Sequence, residues 1–492
     1  MVDDSLTAVE EVPGLSRTAM HRARHSRDAR FDGRFFISAT TTDIYCRPIC
    51  PSPRARDRDV RYYPSAAAAA AAGYRPCRRC RPETAPGSPA WSGTMAVVRR
   101  ALRLIDQGAL DDSTIESFAQ RVGIGARHLS RLFQRHLGAS PIAVAQTRRL
   151  NFATHLLRAT QLPVTQVALA SGFRSVRRFN AVFKEVYRCA PSEERRQQRD
   201  CPDMASGNDI VLRLSFRPPY DWEYLLAFLA QRALAGVEQV IDGKYLRTVV
   251  TDAGAAWIAV RHLADVKVLE LRIGGAGASD LMRLAATARR AFDLTGDPSE
   301  VNAVLKPDPL LGRLVRSRPG LRIPGAWDPF ECAVRAVLGQ QTSAAGGRLV
   351  GRLLCLLGTP APKNPFGLTY VFPSPRSIAS ADLSSIGVVR SRAAALRALA
   401  VAVRDGDIQF DAPIDETMRT LMAIPGISEW TAEYVALRAL EEPDSFPAAD
   451  LELRRHVSAS GKLVSAADLK RRAEAWRPWR GYAAVHLWAS AD

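Results

Sequence analysis

The sequence predicts a multidomain, mainly α-helical chain. Three observations lead there. The chain has 492 residues, enough for roughly two to four domains. Two polar stretches without apolar periodicity, ETAPGSPAWSG (residues 83–93) and RQQRDCPDMASGND (196–209), read as linkers and leave three modules. Apolar residues recur at helical spacing in the middle and C-terminal modules.

Composition narrows the class of partner. Hydrophobic residues make up 47%, sufficient for packed cores, and the net charge is +18 with a pI near 10.0. A chain this basic points to a polyanion, most often nucleic acid; a solubilising charge excess is the plainer alternative. The start, MVDDSLTAVEEVPG, is acidic and lacks an apolar core, so no secretory signal is expected. No apolar run reaches transmembrane length, so no membrane partner is expected. Eight cysteines in so long a chain do not make a disulfide framework. They fit a reducing cytoplasm and a metal or reactive-thiol cluster better.

The first module carries that cluster. IYCRPICPSPR holds Cys46 and Cys50, and YRPCRRCRPE holds Cys77 and Cys80. Two close cysteine pairs are what a tetrahedral zinc site requires. Nine arginines lie from Cys46 through Arg81, that residue included, against two aspartates, Asp57 and Asp59. Arginine forks suit phosphate oxygens, and a zinc-held thiolate stays ionised and nucleophilic. Spacing alone leaves both a structural zinc knuckle and a reactive sulfur open. The alanine run 66–72 reads as a short helix.

The stretch TTTDIYCRPIC…AAGYRPCRRCRPE resembles the N-terminal zinc domain of the Ada adaptive-response family over most of residues 30–83. The resemblance implies that Cys46 accepts a methyl group from a DNA methylphosphotriester, irreversibly, with Cys50, Cys77 and Cys80 as the other zinc ligands. It implies that the loss of charge at the zinc raises DNA affinity and makes the protein an activator, and that Thr41 and Thr42 touch DNA. One departure is Pro51-Ser52-Pro53, where the family often has basic residues.

In the middle module, STIESFAQRVGIGARHLSRLFQRHL (113–137) places Ile115, Phe118, Val122, Leu129, Leu132 and Phe133 at helical spacing. Gly123 and Gly125 suit a tight turn between two helices, and Ser113 with Glu116 reads as a capping box. The pattern returns in VALASGFRSVRRFNAVFKE, with Ala168, Gly172, Phe173, Phe179 and Phe183. Two helix-turn-helix units would offer two recognition helices to major grooves. The candidate readers are Arg127, His128 and Arg131 on one and Arg177, Arg178 and Asn180 on the other; they also fit plain solvated faces. Residues 95–196 resemble the AraC-type DNA-binding domain, which follows the zinc module in Ada. The PCHR motif of Ada's alkylguanine transferase is absent from this sequence, so repair of alkylated guanine oxygen is not expected of it.

The C-terminal module centres on LMAIPGISEWTAEYVALRALEEPDSFPAADLELRR (421–455). IPGIS between apolar helices reads as a helix-hairpin-helix turn whose backbone N–H groups, around Gly426 and Ser428, suit a phosphate. Aromatics follow at Trp430 and Tyr434, then an acid, Asp450, with Glu433 and Asp444 as competitors. Residues from about 209 onward resemble the AlkA 3-methyladenine DNA glycosylases, through LRLSFRPPYDWEYLLAFLAQRALAGVE, RPGLRIPGAWDPFECAVRAVLGQQTS and RAEAWRPWRGYAAVHLW. The resemblance implies Asp450 as the catalytic carboxylate and Trp430, Tyr434 and Trp488 as the base pocket. An N-alkylated purine is cationic, so its glycosidic bond is already weak. An aromatic pocket favours such a cation by about 0.5–2 kcal/mol per contact, once the base is flipped out. Trp430 stands where bifunctional relatives carry a Schiff-base lysine, so base removal without strand cleavage is expected. Two departures are Ser428, where the hairpin usually ends in glycine, and Gln341, at the wedge position that is leucine in the best-known member.

Together the resemblances imply an Ada-type zinc domain (15–90), an all-α double helix-turn-helix domain (94–200), an AlkA-like α+β subdomain (208–300) and a helical helix-hairpin-helix glycosylase domain (301–492). The fold class is then mainly α with an α+β part. The implied protein is a monomer of the cytoplasmic nucleoid, with zinc as cofactor, double-stranded DNA as partner at alkylated sites and promoters, and RNA polymerase as a further partner. Two rival readings use the same residues: a transcription regulator with an inert glycosylase fold, and a glycosylase with a purely structural zinc site.

Overall fold

The structure, a computed structural model, describes residues 12–82, 85, 95–196, 209–339, 344–457 and 463–490. Most of both expected linkers, and Gln341, lie outside these residues. The chain packs as two compact units, Met1–Pro218 with Ala264–Arg272 and Gly277–Ala286, and Pro219–Leu263 with Ile273–Ala276 and Thr287–Asp492. Among the described residues no helix is long and apolar enough to cross a membrane.

The first unit opens with a helix, Arg17–Ser26, capped by the Ser16 hydroxyl, which accepts from the Ala19 N–H at 3.2 Å. A four-stranded sheet follows in the order Val60–Tyr63, Phe36–Ala39, Ile44–Cys46, Arg75–Pro76. Its first three strands pair antiparallel and the last pairs parallel to Ile44–Cys46. Met20, Ala23, Phe35, Ile37, Val60 and Tyr62 bury the contact of helix and sheet. The alanine run forms the helix Ala66–Ala71, packed under Phe36, Tyr45 and Tyr63.

The helices Ile115–Val122 and Ala126–Leu137 form the first helix-turn-helix. Gly123 closes the first of them at φ 90°, a left-handed conformation that glycine adopts freely. The cap differs from expectation. Thr114, not Ser113, is the N-cap, accepting from the Ser117 N–H at 3.3 Å, while the Ser113 hydroxyl donates to the Ala109 carbonyl. The helix therefore begins one residue later, and Glu116 serves the positive end of its dipole rather than a capping box. The long helix Pro141–Ala159 leads to the second pair, Val164–Ala170 and Val176–Tyr187, with Phe173, Phe179 and Phe183 buried.

The second unit holds an antiparallel meander, Glu238–Ile241, Lys244–Thr251 and Gly254–Leu263. This is the α+β part. A helical core follows, in which Pro329–Val337, Arg390–Asp405 and Glu429–Ala439 contribute buried Val334, Val337, Leu396, Leu399, Val435 and Ala439.

Candidate functional sites

Parallel strand pairing is what joins the two halves of the cysteine cluster. Tyr45 is in register with Pro76, and the Cys77 N–H donates to the Tyr45 carbonyl at 2.9 Å. Cys46 and Cys77 therefore leave adjacent strand ends side by side. Tight turns then return Cys50 and Cys80: the Cys50 N–H bonds the Arg47 carbonyl, and the Arg81 N–H the Cys77 carbonyl, both at 3.1 Å. All four sulfurs lie within 4.8 Å of one another, and Cys50 Sγ is 3.9 Å from Cys77 Sγ. Zinc–thiolate bonds of about 2.3 Å give a tetrahedral edge of about 3.8 Å, so the cluster fits the ion.

The thiols' own chemistry calls for a cation. Hydrogen bonding to Cys46 lowers Cys50 to about 6, lowers Cys77 and raises Cys80, while Cys46 is itself raised by Cys50. Four sulfurs this close cannot all ionise alone, and all four are needed as thiolates. Cys77 and Cys80 are buried; Cys46 and Cys50 are half-buried, which leaves Cys46 open to approach. Thr41 and Thr42 are exposed on the turn just before the Ile44–Cys46 strand.

Sequence reasoning missed the support of this centre. Arg47 counted among the phosphate-binding arginines, yet it is buried. Its Nε donates to Asp32 Oδ1 at 2.8 Å, and its terminal nitrogen donates to the Cys80 carbonyl at 3.1 Å. Its backbone N–H also donates to Cys80 Sγ at 3.3 Å. Arg47 and Asp32 thus hold the second cysteine turn, and Arg47 is unavailable as a clamp. Arg54, Arg56, Arg58, Arg61, Arg75, Arg78 and Arg79 remain exposed. Of these, Arg78 reaches Cys189 Sγ at 3.2 Å and Glu194 at 3.6 Å, at the end of the helix-turn-helix region.

On Ala126–Leu137 the residues Arg127, His128 and Arg131 are exposed on the face opposite buried Leu129, Leu132 and Phe133. Arg131 and His128 Nδ1 share a hydrogen bond of 2.9 Å. On Val176–Tyr187 the exposed residues are Arg177, Arg178 and Asn180. Each amphipathic helix therefore turns its basic face to solvent, as a groove-reading helix must.

In the second unit, Ile414–Met422 and Glu429–Ala439 form the helical hairpin. Gly426 bends the turn at φ 94°, and a Cβ there would come within 3.0 Å of the Ala395 methyl. Ser428 needs no glycine. Its φ is −86°, and its hydroxyl caps the second helix by accepting from the Thr431 N–H at 3.3 Å.

Three elements bring their polar ends together beyond that hairpin. Asp450 is the N-cap of Leu451–His456, and its Oδ1 accepts from the N–H groups of Glu452 at 3.0 Å and Leu453 at 3.1 Å. The indole N–H of Trp430 donates to Asp450 Oδ2 at 3.0 Å, and that of Trp488 donates to Oδ1 at 3.3 Å. Asp450 is only 6% exposed. The competing acids have other partners: Glu433 accepts from the Phe446 N–H at 2.9 Å, and Asp444 pairs with Arg480 at 2.9 Å. Trp430 and Tyr434, one helical turn apart, stack with centroids 5.4 Å apart and planes inclined by 23°. Tyr434 and Trp488 lie 6.3 Å apart at 54°.

The Tyr434 ring is fixed from behind by a residue the sequence did not single out. Buried Arg438 donates to its hydroxyl, and the guanidinium carbon sits 5.3 Å from the ring centroid. A cation already faces this ring, so the open aromatic surfaces for a cationic base are chiefly the two indoles. Beyond Arg438 lies a cavity lined by charge: Glu238, Arg247, Glu331 and Arg335 form a buried ion-pair network, with Arg335 2.7 Å from Glu238 and 3.0 Å from Glu331.

Comparison with known proteins agrees with both units. Three family models match: the metal binding domain of Ada at residues 19–83, a helix-turn-helix domain at 118–197 and the AlkA N-terminal domain at 211–328. A Mycobacterium tuberculosis protein named "probable bifunctional transcriptional activator/DNA repair enzyme AlkA" is 38% identical over 481 residues, 96% of this chain and 96% of that protein. DNA-3-methyladenine glycosylase 2 of Escherichia coli is 37% identical over 284 residues, 56% of this chain and 95% of its own length. The structure of a 3-methyladenine DNA glycosylase from Archaeoglobus fulgidus matches with a TM-score of 0.50 at 23% identity, over 56% of this chain and 96% of that one, a likeness of fold. The four-cysteine cluster lies within the Ada metal binding match, and the cofactor is zinc.

Proposed function

The chain belongs to the family of bifunctional transcriptional activator/DNA repair enzymes of the AlkA type, and from that premise we propose that it excises N-alkylated bases of the 3-methyladenine type from DNA by hydrolysis, without cutting the strand. We propose with it that Cys46 takes a methyl group from DNA methylphosphotriesters and that the methylated protein activates transcription in an adaptive response. A zinc-binding, helix-turn-helix DNA-binding protein with a DNA glycosylase fold is the common ground on which both proposals stand.

One observation carries the glycosylase reading: a single carboxylate, Asp450, is fixed by two indole N–H groups and two backbone N–H groups. Four donors keep it oriented while leaving its negative charge in place, in a largely water-excluded setting where charge acts strongly. As the bond to an alkylated base lengthens, positive charge builds on the sugar. Asp450 stabilises that charge and orients the attacking water. The leaving base is already cationic and takes the bonding electron pair, becoming neutral, so no general acid is needed. Trp430 and Trp488 then have two roles, holding Asp450 by their N–H edges and offering aromatic surface to the base. Trp430 has no amine, so no Schiff base forms at this position.

At the zinc centre, Cys46, Cys50, Cys77 and Cys80 hold the ion, which keeps the thiols ionised when bound. Arg47 and Asp32 keep the Cys80 turn in place, and the half-buried Cys46 sulfur is the one we assign as methyl acceptor. The sulfur lone pair attacks the methyl carbon and the phosphotriester oxygen leaves as a phosphodiester anion.

The glycosylase reading is tested by chromatography of free bases released from methylated duplex DNA, wild type beside Asp450→Asn. Asparagine also caps helices, so the fold is kept. Release of 3-methyladenine by the wild type alone supports the reading. If neither protein releases a base while both bind DNA, the chain is a regulator with an inert glycosylase fold.

A further inference from the structure

The helix Arg17–Ser26 sets His21 and His25 one turn apart. Residues at i and i+4 are neighbours on a helix, and a histidine pair at this spacing is a metal clasp used by helical zinc sites. Their imidazole centroids are 4.3 Å apart. Both rings converge on one carboxylate: His21 Nε2 lies 2.9 Å from Asp57 Oδ2, and His25 Nε2 lies 3.1 Å from Oδ1. One ligand atom from each of the three residues falls within 4.8 Å of the others. Bonds of about 2.0–2.2 Å to a divalent transition ion set neighbouring ligand atoms about 3.0–3.4 Å apart. The triad is already close to that spacing.

The carboxylate is positioned from behind. Arg24, 5% exposed, donates to Asp57 Oδ1 at 2.5 Å and also bonds the Ala55 carbonyl. The three ligands themselves are open to solvent, with side chains 43%, 42% and 54% exposed for His21, His25 and Asp57. An ion can therefore enter and keep water in its remaining positions. Two neutral imidazoles and one carboxylate suit zinc, cobalt, nickel or copper. Arg24 offsets part of the carboxylate charge, so the site is weaker than the closed four-cysteine centre.

We propose that His21, His25 and Asp57 form a second metal site, for a divalent transition ion, separate from the four-cysteine centre. It joins the first helix to the segment that follows Cys50. That segment is already strapped to the helix: Arg27 donates to the Pro51 and Ser52 carbonyls at 3.3 and 3.4 Å, and Arg54 donates to the His25 carbonyl at 2.7 Å. It contains Pro51-Ser52-Pro53, where the chain departs from the family's basic pattern. The ion is thus a staple on the one loop whose sequence gives up the usual basic residues.

The test uses the untagged full-length protein carrying one zinc at the four-cysteine centre, titrated with cobalt(II). The wild type is expected to bind a second equivalent whose spectrum lacks the thiolate-to-cobalt charge-transfer band. His21→Gln/His25→Gln is expected to lose that equivalent, with affinity falling about 100-fold or more, since loss even of outer-sphere support costs 10–100-fold. Asp57→Asn should weaken it while keeping the histidine pair. Retention of one zinc by each variant shows that the fold is intact. A wild type that binds one equivalent only, or a second equivalent that survives His21→Gln/His25→Gln, overturns the proposal.

Discussion

The indole N–H of Trp430 donates to Asp450 at 3.0 Å, so an aromatic residue of the hairpin helix and the buried acid form one unit. A hydrogen bond to a charged group contributes about 1.5–3 kcal/mol. In Trp430→Phe and Trp488→Phe the aromatic surface is largely kept and the N–H is lost. We predict that each lowers kcat for base release about tenfold, equivalent to about 1.4 kcal/mol, with little change in KM. Single-turnover kinetics on methylated DNA check this; a change confined to KM would mean the indoles serve binding alone. The same reactions should leave the strand uncut, and borohydride should trap no protein–DNA adduct.

At the zinc centre, intact-mass and peptide analysis after exposure to methylphosphotriester DNA should show one added methyl, on Cys46. Cys46→Ser should gain none. A methyl on Cys50 instead would move the acceptor to the other half-buried sulfur. Removal of zinc by a strong chelator should lower the melting temperature of the first unit, because binding energy at a structural zinc is folding energy.

The two basic helices are separable by mutation. Arg131→Ala and Arg178→Ala should each weaken promoter binding by about 1–3 kcal/mol if the arginine reads a base, and relax preference at one position. A phosphate contact would instead weaken all sequences alike and reduce the salt slope by about one. Binding titrations across a salt series, with matched and mismatched DNA, separate these results.

His486 gives the second unit a pH dependence. The imidazole is 3% exposed, and burial, the main cause, pulls it from 6.5 down to about 4. Below about pH 6.5 the unfolded chain takes up this proton while the folded chain does not. The histidine's contribution is therefore full above that pH and is lost as the pH falls towards 4. Stability should decline by about 1.4 kcal/mol per pH unit in this window. His486→Phe should flatten the slope in urea unfolding measured from pH 7 to 4; an unchanged slope would assign it to other groups.

Much of the candidate chemistry was legible because its signals are local. Cysteine pairs at zinc spacing, a Pro-Gly turn and amphipathic helices each depend on a few neighbouring residues. Arg47 shows where that stops: its type suits phosphate, but burial against Asp32 gives it a structural task. Ser113 shows the same at one residue's resolution. Either Ser113 or Thr114 can cap, and backbone geometry selects Thr114.

By itself the sequence determined the mainly α, multidomain character, the two cysteine pairs at zinc spacing and the basic helical faces, because side-chain type and spacing along the chain encode these directly. Residue type left Glu433, Asp444 and Asp450 as rivals and the family resemblance pointed to Asp450; only the tertiary structure set that carboxylate between two indole N–H groups. All three carry a carboxylate, and long-range packing gives Glu433 and Asp444 other partners. It also decided that Cys46 meets Cys77 through parallel strand pairing, that Arg438 occupies the back of Tyr434, and that Asp57 reaches two histidines of the first helix. Such contacts join residues tens to hundreds of positions apart, and their geometry exists only once the core has fixed the distances between them.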